Sequence, residues 1–519
     1  MIFSIDKEHK LAILLALFLF ALRLVFVTFG PIDLAPDEAH YWEWSRYLDL
    51  SYYSKPPLVA WLNYLSTSVF GTTHLGVRFF SCLALSVLSL IAFFVAKNAA
   101  GARAGWYAFL LINLTPEFAA GGLMMTPDVP SLTCWALGLY MLTRVNFAEE
   151  DLPIKYFVLL GVVIGFAGLA KYTTALFYPI LGLYLLFNAK RRVWLLKPHI
   201  YVSGVISLLM QIPVFYWNYK NDFIGLKHVM GQSGGSSDFS GLKSLGNFLG
   251  GQLGVLSPVT FVLLLCAWAA VTVLIFVRVR QKEITPKQKA LEVLWYFSAP
   301  VFTVFVLKST GAKVQPNWPV LSVYGGLILL AIWVAGMGMW WRRTFVAGLC
   351  LSLLITIVAH DTFLVRSALN YVGSGYEIPF KKDPLKPALG WRGLGQVISA
   401  QINPLLKEGE RPLILTTRYQ TASEMAFYVE GNPEVIYVNL GHRRQNQYDL
   451  WTWPNDIENR PVFYVRENGE IEPAIFNAFQ ACAHLGLAGS QRQGVLMRQA
   501  NVYACYGYKG LERQMPARY

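Results

Sequence analysis

The chain has 519 residues, of which 55% are hydrophobic and only 14% charged, and its mean hydropathy is +0.41. Soluble globular proteins carry about 25% charged residues, so this composition excludes a soluble main body and indicates a chain that lies mostly in lipid. The formal net charge of +13 does not indicate nucleic acid, because Lys and Arg collect in short segments between apolar runs, as in the loops of inner-membrane proteins.

Apolar runs of about 20 residues predict eleven membrane spans. The first run is not followed by a small-residue cleavage site and is expected to be an uncleaved anchor. The predicted spans lie near residues 11–29, 76–96, 105–123, 128–144, 156–170, 172–189, 199–217, 250–277, 290–308, 318–338 and 345–363. With this number, the Lys and Arg clusters share one face, which the positive-inside rule makes cytoplasmic. The segment after the first span and the C-terminus are then periplasmic.

The sequence divides into a membrane part, residues 1–365, and a polar part, residues 366–519. In the polar part, strand-like apolar runs alternate with helical patterns, which is typical of a small α/β domain. Strands are predicted at 413–417, 435–438, 462–465, 495–497 and 502–506, and helices near 393–407, 421–430 and 472–485. Cys482 and Cys505 both lie in this part and are candidates for one disulfide in an oxidising compartment.

The segment from Asp37 to Trp61, which follows the first span, is unusually rich in polar and aromatic groups. It contains the adjacent carboxylates Asp37 and Glu38, a histidine, an arginine, seven Tyr or Trp residues and a Lys-Pro-Pro sequence. Two carboxylates next to a membrane span favour a functional site, because burying them in lipid is costly. The alternative is a solvated first turn of a helix that begins at Pro36.

Lys55 precedes two prolines, which hold the backbone extended and fix the lysine at the membrane surface. Its ammonium group suits a phosphate, although a lysine that merely marks the membrane interface would have the same sequence. Further cations lie near the predicted outer ends of spans, where the positive-inside rule disfavours them. An anionic ligand would explain this excess, and the cations are Arg46, Arg78, Lys171, Lys308 and Lys313.

Asp128 follows a proline at the mouth of the fourth predicted span. It is expected either to cap that helix or to point into a cavity shared with Asp37, and both interpretations stay open. Two further loops on the same predicted face are the glycine- and serine-rich segment 218–249 and the short connection 308–318. No metal-ligand motif, glycine-rich phosphate loop or GxSxG sequence is present, so no cofactor is required, and a divalent metal is left open.

Five motifs in order, DEAHYWEWS, YYSKPPLVAWL, MTPDVPSL, GLAKYT and KVQPNWP, resemble the GT-C membrane glycosyltransferases. More narrowly, they are similar to the protein-mannosyltransferase-like superfamily, which includes bacterial glycosyltransferase family 39 and the lipid A aminoarabinose transferases. The resemblance covers the membrane part and continues into the polar part at TTRYQTASEMAFYVEGNPEV. It implies a polytopic α-helical membrane protein with about 11–13 transmembrane helices and a C-terminal periplasmic α/β domain.

The resemblance also implies an inverting enzyme of the bacterial inner membrane with a periplasmic active site. The expected donor is a polyprenyl-phosphate-linked sugar, and the expected acceptor is lipid A, lipopolysaccharide core, another glycan or a protein. Asp37, Glu38 and Asp128 correspond to the catalytic acidic positions, and Lys55 to the lysine that faces the donor phosphate. The remaining cations are expected near that phosphate, and the expected substrate-binding residues are His40, Tyr41, Tyr53, Asn317 and Trp318.

The proposed roles follow from the chemistry of transfer. A departing lipid phosphate carries negative charge, which Lys55 and the neighbouring cations would stabilise without a metal. The acceptor hydroxyl needs a general base within about 3 Å, and Asp37 is predicted to be that base. Asp128 would orient the acceptor or hold a donor hydroxyl. The aminoarabinose transferases have an arginine where this chain has His40, so the sugar and the phosphate contacts are expected to differ.

The expected partners are the lipid-linked donor, the acceptor and the bilayer, with no nucleic acid, and the protein is expected to be a monomer. Two other functions were considered, a flippase or transporter of lipid-linked sugars and a non-catalytic assembly protein. The charged residues gather at one face of the membrane instead of at its midplane, and no inverted half-repeat is visible, which disfavours a transporter. Paired carboxylates opposite a Lys-Pro-Pro sequence disfavour an assembly protein.

Overall fold

A computed structural model of the protein describes residues 6–147, 152–188, 191–233, 241–277, 285–373, 378–441 and 444–511. Part of the predicted glycine- and serine-rich loop, residues 234–240, lies outside the described residues. The N-terminal part is helical. Its helices are α1 Lys7–Phe29, α2 Pro36–Arg46, α3 Leu58–Phe70, α4 His74–Ala100, α5 Ala102–Leu114, α6 Pro116–Ala119, α7 Asp128–Phe147, α8 Ile154–Ala170, α9 Phe177–Phe187, α10 Pro198–Leu209, α11 Ile212–Lys220, α12 Ile224–Ser233, α13 Gly241–Leu256, α14 Pro258–Val277, α15 Pro286–Tyr296, α16 Ala299–Ser309, α17 Val320–Ala335, α18 Met339–His360 and α19 Phe363–Tyr371.

Six helical segments of the described chain are long and apolar enough to cross a membrane, and they are Lys7–Phe29, His74–Ala100, Pro198–Lys220, Pro258–Phe276, Pro286–Ser309 and Met339–His360. Shorter apolar helices cover Leu58–Phe70, Ile154–Ala170, Tyr172–Phe187 and Val320–Ala335. Several of these helices expose large apolar side chains, as lipid-facing helices do, for example Phe18 of α1 and Leu354 of α18. The polytopic helical membrane fold is therefore confirmed, and the count of eleven spans stays a prediction.

Helix α17 lies at the centre of the bundle. It is apolar on every side and almost all of its residues are buried. Helices α4, α5, α14 and α15 pack around it. The span predicted at 250–277 is divided into α13 and α14 at Ser257. This residue has a φ of 66° and is followed by Pro258, the first residue of α14. A left-handed residue followed by a proline cannot continue a helix, and this accounts for the break.

The C-terminal part is an α/β domain, as predicted. It contains α20 Trp391–Ile402, β1 Leu413–Thr416, α21 Tyr419–Tyr428, β2 Glu434–Tyr437, β3 Val462–Arg466, α22 Pro473–Asn477, β4 Phe479–Arg492 and β5 Val495–Tyr508. The strand order is β2-β1-β3-β5-β4. Strand β1 is parallel to β2 and β3, whereas β5 is antiparallel to β3 and β4. The division at residue 365 stays a prediction.

The prediction of a helix near residues 472–485 is wrong over most of that range. Only Pro473–Asn477 is helical, and the chain continues as strand β4, which pairs with β5 from Phe479↔Tyr508 to Arg492↔Val495. Gln493 and Gly494 both have positive φ, as a tight hairpin turn requires, and they fix this register. Long-range pairing overrides the weak helical pattern of the alanine-rich segment. Strand β5 also joins the two strands predicted at 495–497 and 502–506.

Cys482 and Cys505 face each other across β4 and β5 and form a disulfide, which confirms the candidate pairing. The C-terminal domain sits on the segment that follows α1, because α21 packs against α2. Two hydrogen bonds illustrate this contact. Tyr428 Oη accepts from the Leu34 amide at 2.7 Å, and Gln447 Oε1 accepts from the Tyr53 amide at 2.7 Å.

Candidate active site

Helix α2 presents its two acidic residues in different directions. Pro36 begins the helix, and the Ala35 amide donates to Glu38 Oε2 at 3.0 Å, which satisfies one of the free amides at the helix start. Successive residues of an α-helix point about 100° apart. Glu38 is consequently fully buried, whereas Asp37 is exposed next to Tyr419 of the C-terminal domain.

Glu38 is saturated by protein contacts. Arg78 of α4 donates from Nε to Oε1 at 2.9 Å and from Nη2 to Oε2 at 2.6 Å, and both side chains are buried. The Met125 amide donates to Oε1 at 2.9 Å. Arg78 also donates to the backbone carbonyl of Asp33 at 2.8 Å. Glu38 therefore ties α2, α4 and the segment before α7 together, and its catalytic role stays a prediction.

The Asp37 carboxylate is exposed and is contacted by Tyr419. Tyr419, the first residue of α21, donates from its hydroxyl to Asp37 Oδ1 at 3.3 Å. Within the described ranges, no other side chain bonds to either carboxylate oxygen. Surrounding protein limits hydration and raises the pKa of Asp37, the Tyr419 hydrogen bond and the Lys55 charge oppose this rise, and the Glu38 charge adds to it. The carboxylate is thus free to accept a proton.

Asp128 and Lys171 form an ion pair in which Lys171 Nζ donates to Asp128 Oδ1. Asp128 begins α7, and Lys171 lies in extended conformation at the end of α8. Burial and the Lys171 charge lower the pKa of Lys55, whereas Asp128 and Asp37 oppose that shift. Lys55 is therefore within electrostatic reach of the other three side chains, and we call Asp37, Lys55, Asp128 and Lys171 the charged cluster.

Two of the predicted substrate-binding residues, Tyr41 and His40, lie beside the charged cluster on α2. Tyr41 is buried, and its pKa is raised first by burial and then by Asp37, Asp128 and Tyr419. His40 accepts from Trp44 Nε1 at 3.1 Å, and burial lowers its pKa to about 3. His40 is therefore a neutral ring in an aromatic cluster and does not supply the charge of an arginine.

The other predicted residues are held in different places. Tyr53 donates from its hydroxyl to the Arg444 carbonyl at 2.7 Å, and Arg46 donates to the Pro433 carbonyl at 3.0 Å, so both anchor the C-terminal domain. Lys308 lies 4.8 Å from the ring centre of Trp318. Lys313 is exposed, and Asn317 lines a cavity together with Asp128. Of the predicted cations, the structure brings Lys55 and Lys171 into the charged cluster.

Two apolar cavities lie near the Asp128–Lys171 pair. One, of about 620 Å³, is lined mainly by apolar residues of α4, α7, α18 and the segment 116–124, and Asp128 lies on its wall. The other, of about 440 Å³, lies between α8, α10 and α11, and Tyr172, which follows Lys171, lies on its wall. Apolar cavities of this size beside charged groups suit a ligand with a lipid chain and a polar head.

Glu117 was missed by the sequence analysis. It lies in α6 and lines the larger cavity together with Asp128. Both of its carboxylate oxygens are buried without a hydrogen-bond partner among the described residues. The available signal was a carboxylate inside an apolar run, which is rare in membrane proteins unless it serves a function. Tyr419 was also missed, because no pattern links it to Asp37 across 382 residues.

Metal binding stays untested. Within the described residues, no group of three or more His, Cys, Asp or Glu side chains is arranged to hold a metal ion.

Comparison with known proteins identifies relatives of this chain. Residues 54–217, which include Lys55, Asp128 and Lys171, match the sequence model of the dolichyl-phosphate-mannose-protein mannosyltransferase family. The chain is 28% identical over 343 residues to the lipid A galacturonosyltransferase RgtD of Rhizobium johnstonii, across 66% of this chain and 67% of the relative. It is 27% identical over 252 residues to undecaprenyl phosphate-alpha-4-amino-4-deoxy-L-arabinose arabinosyl transferase 2 of Proteus mirabilis, across 44% and 45% of the two chains.

Among solved structures, ArnT from Cupriavidus metallidurans bound to undecaprenyl phosphate has the same fold. Its TM-score is 0.61 at 17% sequence identity, and the alignment covers 95% of this chain and 97% of that one. The family and sequence matches confirm the resemblance inferred from the five motifs, and the shared fold agrees with them. The protein is therefore a multi-pass membrane protein with the GT-C fold, a glycosyltransferase whose sequence is similar to the ArnT-like enzymes.

Proposed function

We propose that the protein transfers a sugar from an undecaprenyl-phosphate-type donor to a lipid A-type acceptor at the periplasmic face of a bacterial inner membrane, with inversion at the anomeric carbon. The charged cluster, together with the two apolar cavities near it, is the observation that carries this proposal. The relatives add support, since one is a lipid A galacturonosyltransferase and another uses an undecaprenyl-phosphate-linked sugar.

The chemistry is a single displacement. The acceptor oxygen forms a bond to the anomeric carbon while the bond from that carbon to the phosphate oxygen breaks. Asp37 takes the proton of the acceptor hydroxyl, and the polyprenyl phosphate leaves with the bonding electrons. Lys55 stabilises the negative charge that develops on the phosphate, and Lys171 assists while it holds Asp128 in place. One attack without a covalent intermediate inverts the anomeric carbon.

The disulfide supports the periplasmic orientation. Cys482 and Cys505 join β4 and β5 of the domain that covers Asp37, and disulfides persist in oxidising compartments such as the periplasm. The positive-inside prediction gives the same orientation from independent residues, because the basic clusters fall on the opposite side of the predicted spans. Cysteine labelling of intact cells at exposed Lys313 and at exposed Arg103 tests it. Only a cysteine at position 313 is expected to react with an impermeant reagent.

An assay with purified protein in lipid nanodiscs tests the transfer. The protein is incubated with an undecaprenyl-phosphate-linked sugar and lipid A. Release of undecaprenyl phosphate and a matching mass increase of lipid A are both expected. None of the relatives described above is a flippase or transporter, and a flippase would move the donor across a liposome membrane without releasing the phosphate. Movement without release would overturn the proposed function.

Lys55→Ala is expected to weaken donor use more than acceptor use, because the side chain faces the donor phosphate. Loss of one charged contact to phosphate corresponds to a decrease of about 10- to 100-fold in kcat/KM for the donor. Lys220→Ala, which changes an exposed lysine of α11, is the matched control and is expected to behave as wild type. An unchanged donor KM and kcat in Lys55→Ala would remove Lys55 from the phosphate site.

The pH profile of transfer is expected to be narrow. Asp37 must be unprotonated to act as a base, and its raised pKa moves the acidic loss of activity to a higher pH than for an ordinary aspartate. Lys55 must be protonated, and its lowered pKa moves the alkaline loss to a lower pH than for an ordinary lysine. The check is kcat/KM for the donor against pH. In Lys55→Arg the residual activity is expected to lose its alkaline limb, because arginine stays charged.

Glu117 bears on the choice of sugar. A buried carboxyl group with no protein partner in the same cavity as Asp128 can form hydrogen bonds with a polar group of the donor sugar. Glu117→Ala removes this group and is therefore expected to reduce kcat/KM for the preferred donor about tenfold and to change the ratio in which a neutral or amino-sugar donor and a uronic-acid donor are used. Competition between the two donors in one assay measures this ratio. An unchanged ratio would place Glu117 away from the sugar.

A further inference from the structure

The C-terminal domain has a polar cavity of its own, with a volume of about 420 Å³. The cavity lies where the parallel strands β1, β2 and β3 end, since Thr416, Tyr437 and Arg466 are the last residues of these strands and all line it. Strand β1 is central and has parallel neighbours on both sides. In open α/β sheets, ligands bind in the crevice outside the carboxyl ends of the strands, where the strand order reverses.

The charged groups of this cavity balance one another. Arg466 Nη1 pairs with Glu472 Oε1 at 2.8 Å, and Arg418 Nη1 lies 3.7 Å from Glu467 Oε1. Thr421 donates to the same Glu467 oxygen at 2.7 Å. Paired donors and acceptors without an excess of positive charge suit the hydroxyl groups of a sugar better than a phosphate. The chemistry of the lining therefore indicates a saccharide.

Two adjacent residues of the chain connect the cavity with the candidate base. Arg418 lines it, and the next residue, Tyr419, donates its hydroxyl to Asp37. The side chain of Arg418 is 52% exposed, and its distance to Glu467 is long for an ion pair, so the guanidinium has donors available for a ligand. A molecule bound here would approach Asp37 from the C-terminal domain.

The lipid-linked donor is better placed elsewhere. The two apolar cavities are lined by residues of the membrane part, apart from Pro384 in the larger one, whereas residues of the C-terminal domain alone line the polar cavity. A polyprenyl chain requires apolar walls. Donor and acceptor would therefore approach the charged cluster from different sides, as a displacement requires.

We propose that this cavity binds the saccharide part of the acceptor and positions its reactive hydroxyl at Asp37. The proposal rests on the proposed function, because it assigns the acceptor of that reaction to a site. Asn468 and Arg418 are the residues that test it. Both are exposed side chains on the cavity wall, so both can be changed without altering the core of the sheet.

The experiment measures separate KM values for donor and acceptor. Arg418→Gln removes charged donors from the cavity, and Asn468→Trp narrows it. Each variant is expected to raise the acceptor KM at least about tenfold and to leave the donor KM unchanged. Arg411→Gln changes an exposed arginine of the same domain that does not line the cavity, and it is expected to match wild type. An unchanged acceptor KM in both cavity variants would overturn the proposal, as would an equal rise in both KM values.

A binding measurement separates this proposal from the proposed function. Lipid A is titrated into the wild type, Asn468→Trp and Arg411→Gln in nanodiscs without donor. Weaker lipid A binding by Asn468→Trp alone supports the cavity as the acceptor site, even if the wild type proves inactive with undecaprenyl-phosphate-linked sugars. Equal lipid A binding by all three proteins overturns this assignment, even if the wild type is active.

Discussion

Asp37→Asn abolishes sugar transfer while the protein stays folded, if Asp37 is the base that takes the acceptor proton. Asparagine keeps the size of the side chain and can still accept the Tyr419 hydrogen bond, but it cannot take a proton at neutral pH. Removal of a general base costs about 10²- to 10⁴-fold in rate. The expected loss therefore lies in kcat and not in binding of the donor, and single-turnover transfer in nanodiscs measures it.

Two variants separate the base from its surroundings. Tyr419→Phe removes the hydroxyl that donates to Asp37 and leaves the carboxylate, so we expect a loss of less than about tenfold. The acidic limb of the profile should move to a higher pH, because the Tyr419 hydrogen bond lowers the pKa of Asp37. Asp222→Asn changes an acidic residue between α11 and α12 that lies outside the charged cluster and serves as the control. Near-normal turnover by Asp37→Asn would remove Asp37 as the base.

The motifs predicted the charged cluster better than they predicted the roles within it. Asp37 and Glu38 are adjacent in sequence, and both were predicted to be catalytic, with Asp37 as the base. Helical geometry separates them, because Glu38 points inward to Arg78 and Asp37 is exposed. A sequence shows the spacing of two carboxylates but not the partner that each will meet. Arg78 lies forty positions away and its contact with Glu38 forms only when α4 packs on α2.

Local patterns predicted the C-terminal domain only in part. Strands β1, β2 and β3 are short apolar runs and were predicted within one residue of their limits. Strand β4 reads FQACAHLGLAGSQR, has no strict alternation, and becomes a strand because β5 and the disulfide hold it. Neither the Tyr419 contact nor the polar cavity was predicted. The first forms only when α21 packs against α2, and the second forms only when β1, β2 and β3 come together in the sheet. A local sequence pattern does not predict contacts between the membrane part and the C-terminal domain.

The pair of Glu38 and Arg78 is expected to decide whether the protein folds. Arg78→Met leaves a buried carboxylate without its charged partner, which costs about 3–5 kcal/mol of stability. Met125 and Ala35 would still donate to the carboxylate, but their amides cannot neutralise its charge. We therefore expect a large fall in melting temperature and in the yield of monodisperse protein. Arg343→Met, which changes a residue of α18 outside this pair, is the control.

Glu38→Gln distinguishes a positioning role from a catalytic one. If Glu38 holds α2 in place, Glu38→Gln and Arg78→Met should each lower stability, and the double variant should lose less than the sum of the two, because it buries no unpaired charge. Transfer should fall together with stability, since α2 carries Asp37. Normal melting of Glu38→Gln with complete loss of kcat would instead make Glu38 a catalytic group, because its carboxylate would then act on the substrate and not on Arg78.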